Sequence, residues 1–429
     1  MFSSDVRNQL LATVTVNILQ IGFGAVLGWP SASLLILETD ESPLPTGPLT
    51  VVEKSWVSAL MYLGGTLGCL FFGWASNRYG RKYPLMGAAF PQLFGWLLII
   101  YAQNPYYLYV ARFMSGFSGS ANYVILPVFV AEISDNKVRG TLGSIFILSV
   151  NIGILAVFVL GHVCSYIMTP IILSVVPVIF FIGMSFFPES PLYLMQKGRE
   201  EEAKKAFCFY RKIETQQSHE LDLLNNELDK LKTVVVSTDD QKSSFKSKWT
   251  AFNTPIARKA IFFGVTLLAL KQFTGNTTML NYAGQIFKDS GSHLSPNLSA
   301  IIIGIIQLIG TFTPTILVDR AGRKVLLIVS STLTAMGLVC LGTYMYLQSR
   351  DYDLTGLGAK DVGSTICMLV LWLFAFIMVK AFPLIAAAVG MYGCWFLFAG
   401  VGFAGAVFVM AVLPETKGKS FDEIMEIMK

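Results

Sequence analysis

The chain has 429 residues, 54% hydrophobic and 14% charged, with a formal net charge of +5. Soluble domains carry about 25% charged residues, and the apolar runs here reach the ~20 residues that cross a bilayer as a helix, so a water-soluble domain is excluded. No segment alternates with period two, which excludes a β-barrel; six scattered cysteines without a C-x-x-C pair and three isolated histidines leave zinc and disulfide chemistry without a framework.

Span 1 is expected over Leu10–Trp29, as a retained crossing and not a cleaved signal. Ser31–Lys54 reads as a loop punctuated by Pro43, Pro45, Gly47 and Pro48. Span 2, Trp56–Ala75, carries Gly64 and Gly68 four apart, a spacing that lets helix backbones approach closely. A cationic turn, Asn77-Arg78-Tyr79-Gly80-Arg81-Lys82, separates it from span 3 at Leu85–Tyr101. Span 4, Tyr107–Ala131, holds Arg112 and small residues at 115, 116 and 118–120. A polar loop with Glu132, Asp135, Lys137 and Arg139-Gly140 precedes spans 5 and 6, at Thr141–Gly161 and Tyr166–Phe187.

Pro188-Glu189-Ser190-Pro191 ends the first half, residues 1–196, read as a six-helix bundle. Residues 197–257 form a charged linker in which Leu221, Leu224, Leu228 and Leu231 recur at helical spacing. The second bundle, 258–413, begins with spans 7 and 8 at Ala260–Phe287 and Ala300–Val318. A second cationic turn follows, Asp319-Arg320-Ala321-Gly322-Arg323-Lys324, then span 9 at Val325–Leu347, a polar loop at Arg350–Asp361, and two apolar runs, Ser364–Val389 and Tyr392–Leu413. Residues 414–429 are a charged tail opened by Pro414-Glu415.

With alternating spans, the loop cations concentrate on the side of the two cationic turns and the linker, so the positive-inside rule places that side and the N-terminus in the cytosol. Positive charge so arranged needs no nucleic-acid partner. Measured from each cationic turn to the following Pro-Glu pair, the second half is about 16 residues shorter, close to one span. One crossing and its cationic loop are absent, and the side of the tail depends on whether both final runs cross fully. Lys380 within the penultimate run is the residue that disfavours a full crossing.

The paired turns, Glu132 with Arg139-Gly140, the two Pro-Glu motifs and the span-7 phrase Lys271-Gln272-Phe273-Thr274-Gly275 together resemble the major facilitator superfamily, specifically its sugar porter family. The phrase Ile286–Gly291 and the Pro43–Pro48 loop resemble the insect facilitated trehalose transporters most. The resemblance implies an all-α fold of two pseudo-symmetric bundles, here six plus about five spans, with substrate bound between them. It also implies a cytosolic gate built from Arg78, Arg81, Glu132, Arg139, Glu189, Asp319, Arg320, Arg323 and Glu415; the alternative is that these residues only anchor orientation. Asn77 stands where the family has an aspartate.

A sugar site needs amide and hydroxyl side chains. The family's two span-7 glutamines and its asparagine match Lys271, Gln272 and Thr277; its span-8 asparagine matches Gln307 and its span-5 glutamine matches Ile147, one helical turn from Asn151. The span-11 asparagines fall on Leu371 and Ala375. Gln272 and Gln307 thus keep the expected chemistry, with Thr277, Asn276, Asn281 and Asn151 as helpers. Lys271 reads either as a shift toward an anionic solute or as erosion of the site. No intramembrane acid stands out as a proton carrier, which favours facilitated diffusion of trehalose or a hexose by alternating access. The alternative is a non-transporting, regulatory or incomplete form. No catalytic constellation, metal or cofactor is expected. The partners are a small sugar and the bilayer. The expected form is a monomeric, multi-pass plasma-membrane protein, glycosylated at Asn297 of Asn297-Leu298-Ser299.

Overall fold

The computed structural model describes residues 6–135 and 138–212. In the second half it describes residues 272, 277, 280–282, 298, 300–309, 311, 400, 401, 404 and 407. The leucine repeat at 221–231, Lys271, Asn276, Asn297, the second cationic turn, the polar loop at Arg350–Asp361 and Glu415 lie outside the described residues.

Six described segments are long and apolar enough to cross a membrane, matching the six spans expected in the first half. They are α1 (Arg7–Leu37), α2 (Val51–Tyr79), α3 (Lys82–Ile100), the pair α4 (Pro105–Val124) and α5 (Leu126–Ile133), which together form one crossing, α6 (Arg139–Val163) and α7 (Met168–Ser185). Two short helices follow, α8 (Pro191–Gln196) and α9 (Glu200–Arg211). From the second half, α10 (Ala300–Ile309) is described.

Both ends of the first expected loop are corrected. α1 continues through Pro30 to Leu37. A proline inside a helix removes one donor, but Ser31–Leu37 is largely apolar, and Leu34 and Leu37 pack into the core. At the other end Thr50 caps α2. The Thr50 hydroxyl accepts the Glu53 N–H at 3.3 Å and the Glu53 carboxylate accepts the Thr50 N–H at 2.8 Å, a reciprocal pair that satisfies two orphan donors. The loop therefore spans only 38–50, and Lys54, expected in it, is buried in the first turn of α2. Glu132, expected in a polar loop, lies in the last turn of α5.

Backbones meet where side chains are smallest. A Cβ on Gly64 of α2 would sit 2.1 Å from the Phe113 carbonyl oxygen, and one on Gly116 of α4 only 1.7 Å from that of Met61. Gly68, one turn along α2, rests on Phe117 and Ser120. The α1–α6 seam repeats the device: Gly24 abuts the Val150 carbonyl and Gly153 that of Ile21. In lipid such close approach is a main source of helix association, because burying apolar side chains gains little against hydrocarbon. Phe90, Val175, Ile179 and Ile182, by contrast, stay exposed on the outer surface of α3 and α7.

Candidate functional site

Gly80 and Arg81 separate α2 from α3, and Gly80 takes the turn at φ 99°. A side chain there would be strained, and its Cβ would lie 2.2 Å from a Glu189 carboxylate oxygen. Glycine thus opens the space into which Glu189 inserts. That carboxylate accepts N–H bonds from Arg81 at 3.0 Å, Lys82 at 3.1 Å and Ser190 at 2.7 Å. Burial pushes its pKa up, and the three N–H donors and Arg81 pull it back down without fully offsetting that rise. The Arg81 side chain turns to Glu132, with Nη2 2.8 Å from Oε1, while its Nη1 donates to the Ser76 carbonyl oxygen at 2.8 Å. Ser190 donates to the other Glu132 oxygen at 2.5 Å, and the Lys82 ammonium donates to the Phe187 carbonyl oxygen at 2.6 Å.

Of the expected gate residues in the first bundle, Arg81, Glu132 and Glu189 are therefore brought together. Arg78 is not part of this cluster: it is exposed, stacked 5.7 Å from the Tyr79 ring centroid, and only its carbonyl oxygen joins in, accepting from Tyr193 at 2.7 Å. Arg139 is exposed at the start of α6. Asn77 donates to Gly73 within its own helix at 2.9 Å. Around this basic end, α9 buries Ala203, Ala206, Phe207 and Tyr210, and Tyr210 donates to the Pro188 carbonyl oxygen at 2.6 Å. Asn8 of α1 donates to the Phe209 carbonyl oxygen at 2.7 Å, and Arg211 pairs with Asp135 at 3.2 Å.

Toward mid-depth and the opposite end, the two halves of the chain touch through neutral polar groups. Asn151 of α6 donates to Thr311 at 2.6 Å, and Thr311 in turn donates to the Gln307 carbonyl oxygen at 2.9 Å. Asn281 donates to the Tyr62 hydroxyl of α2 at 2.7 Å. Thr277 donates to Gln272 at 3.0 Å; Gln272 and Asn281 are buried. Gly304 of α10 packs on Leu155 and Phe158 of α6, which holds Gln307 and Thr311 beside Asn151. Five of the seven expected substrate residues, Gln272, Thr277, Asn281, Gln307 and Asn151, thus occupy the contact region; Lys271 and Asn276 lie outside the described residues.

Other participants have partners that the sequence does not give. Arg112 of α4 is buried and donates to the Val26 and Val57 carbonyl oxygens at 2.6 and 3.1 Å. The buried Lys54 pairs with Glu38 at the end of α1 and stands 5.9 Å from the centroid of the Tyr282 ring. Tyr62, Tyr282 and Thr311 are ordinary residues in apolar runs until the fold sets them opposite distant partners.

A family model described as sugar (and other) transporter matches residues 35–359 and 352–428. The facilitated trehalose transporter Tret1 of Bombyx mori is 30% identical over 97% of this chain and 86% of its own length. Tret1 of Culex quinquefasciatus is 28% identical over 97% of this chain and 85% of its own. Among solved structures, the proton:xylose symporter XylE of the major facilitator superfamily, bound to 6-bromo-6-deoxy-D-glucose, superposes with a TM-score of 0.75 at 19% identity, covering 99% of this chain and 100% of that one. The inward open xylose transporter XylE from E. coli gives 0.73 at 20% identity, covering 97% and 99%. At such identities the structural likeness speaks for the fold, while the family model and the Bombyx relative speak for descent. Both extend across the two halves, and the chain belongs to the sugar transporter family, in the major facilitator fold.

Proposed function

We propose that the protein carries an uncharged sugar, trehalose or a hexose, across the plasma membrane by facilitated diffusion. The observation that carries this reading is the chemistry of the contacts between the halves. Asn151–Thr311 and Asn281–Tyr62 join them, Gln272–Thr277 lies beside the second, and all three are neutral amide and hydroxyl pairs. Such groups both donate and accept, as a sugar's hydroxyls require. Among the described residues the acids of the crossings sit only near helix ends, at Glu38, Glu53 and Glu132. That supports a carrier without proton coupling. The names of the Bombyx and Culex relatives support trehalose.

Transport proceeds in this reading by alternating access, the bundles rocking about the amide contacts. Arg81, Glu132 and Glu189 brace the cytosolic end of the first bundle, and the gate is completed by the exposed Arg78 and Arg139 together with Asp319, Arg320, Arg323 and Glu415, which lie outside the described residues. The protein is a carrier and not an enzyme, monomeric, with a cytosolic N-terminus and an exterior, glycosylated Asn297. Purified protein in liposomes, tested by counterflow of labelled trehalose and glucose, gives saturable, stereospecific uptake. No saturable uptake by correctly inserted protein would overturn the carrier and leave the regulatory or incomplete form.

A further inference from the structure

Three amides of the first bundle stand out. Gln20 of α1, Gln92 of α3 and Asn122 of α4 are fully buried, yet none of their six polar side-chain atoms has a hydrogen-bond partner among the described residues. Gln92 packs against Gly22 of α1. Leaving a buried amide unpaired is expensive, so a ligand that can pair with it is expected.

Helix contacts place Gln20 and Asn122 together. A Cβ on Gly119 of α4 would lie 1.9 Å from the Phe23 ring of α1, so these two residues face each other. α1 runs away from the basic end and α4 runs toward it. One turn from that contact toward the basic end, the next positions are Gln20 on α1 and Asn122 on α4, at one level. The parallel helix α6 supplies a second ruler. Gly24 meets Val150 and Gly153 meets Ile21, which sets Gln20 level with the stretch around Asn151. At about 100° per residue, Gln20 projects about 40° from Gly24, which faces α6, and about 60° from Phe23, which faces α4. It therefore points between those two helices.

Below Gln20 the same face of α1 carries Gln9, Thr13 and Asn17, all buried. Those three are tied up locally. Gln9 accepts the Asp135 N–H at 2.9 Å, Thr13 donates to the Gln9 carbonyl oxygen at 2.8 Å, and Asn17 donates to that of Thr13 at 2.7 Å. Unmet demand begins at the Asn17 side-chain oxygen and peaks at Gln20, at the depth where Asn151 reaches across to Thr311.

We infer that Gln20 and Asn122 form a hydroxyl-binding subsite of the first bundle, supplying the amide contacts that the aliphatic Ile147 does not. The inference rests on the sugar-carrier reading and names residues which that reading does not use. Each amide offers one donor end and one acceptor end, the match for a hydroxyl that does both. An anion would leave the acceptor ends unpaired and a cation the donor ends. The nearest described cation on α4, Arg112, is ten residues and about 15 Å away along the helix.

Uptake of the parent sugar and of its monodeoxy analogues by full-length protein in liposomes tests this. Gln20→Leu and Asn122→Leu should each raise KM for the parent sugar about tenfold (about 1.4 kcal/mol). Each should leave KM nearly unchanged for the one analogue that lacks the hydroxyl it contacts. Should a leucine variant fail to fold, Gln20→Asn keeps the amide but draws it back by one methylene, and should show the same analogue pattern more weakly. An unchanged KM and an unchanged analogue ranking would overturn the subsite and leave the amides a structural role, satisfied by internal water. Absence of uptake by the unsubstituted protein would instead defeat the carrier reading, and the subsite with it.

Discussion

Arg112 clamps two helices at once. Its Nη1 holds the Val26 carbonyl oxygen of α1, its Nε holds that of Val57 of α2, and its guanidinium lies 5.8 Å from the centroid of the Trp29 ring. A lysine has one compact ammonium and no planar fork, so Arg112→Lys cannot reproduce both bonds and the stacking. We expect it to cost about 2 kcal/mol, read as a lowered Tm of the detergent-solubilised protein, with Arg112→Met costing at least as much. A Tm equal to that of the unsubstituted protein would remove the clamp from the account. The partners of such side chains are the least legible part of a sequence. Tyr62 becomes informative only through Asn281, 219 positions away, and no local pattern encodes such a pairing. Gln272 and Asn151 were legible, because an amide inside an apolar span is anomalous on its own.

Among elements, the α2–α4 seam gives the sharpest contrast. Gly116→Val inserts a branched side chain where a single Cβ would already overlap the Met61 carbonyl, so the two helices must separate; loss of folded protein in size-exclusion chromatography is the expected result. Gly73 of the same α2 has nothing within 4 Å of its would-be Cβ. Gly73→Ala should therefore be neutral or stabilising, by up to about 1 kcal/mol from helix propensity, with an unchanged or slightly raised Tm. The small-residue spacing at 64 and 68 was readable beforehand, and the six crossings followed from apolar length alone. Helix ends are less legible. Thr50-Val51-Val52-Glu53 is a capping signal that the loop's prolines obscured, and the passage of α1 through Pro30 depends on the packing of Leu34 and Leu37. α9 lay unrecognised in the charged linker because its apolar face is confined to Ala203, Ala206, Phe207 and Tyr210.

For the whole molecule, the first half was legible nearly throughout, since its crossings are uninterrupted and its basic turn is distinctive. The second half reads chiefly as a repeat expected to be one span short. The family match falls in two stretches that overlap at 352–359, within the polar loop at Arg350–Asp361. Because Pro414-Glu415 corresponds to Pro188-Glu189, we expect the tail on the same side as the first Pro-Glu pair, with one of the last two apolar runs not crossing fully. An epitope placed after Lys429 should react only in permeabilised cells; reaction in intact cells would mean eleven complete crossings instead.

The ion pair between Arg81 and Glu132 has both partners inside one bundle, and their side chains are 8% and 7% exposed. A bond of that kind is kept whichever way the two halves lean, so it sets the stiffness of a moving part and leaves the height of the barrier to others. Arg81→Gln should accordingly lower Tm while leaving the ratio of inward to outward flux close to its original value. The contacts that decide direction are those shared between the halves; the hydrogen bonds among them described here, Asn151–Thr311 and Asn281–Tyr62, carry no charge, and the Lys54 ammonium over the Tyr282 ring is the charged one. Added salt, which screens exposed ionic contacts most, should then scarcely alter the part of the exchange rate set by those hydrogen bonds or by the buried Lys54, leaving the main salt response to the exposed arginines at the basic end.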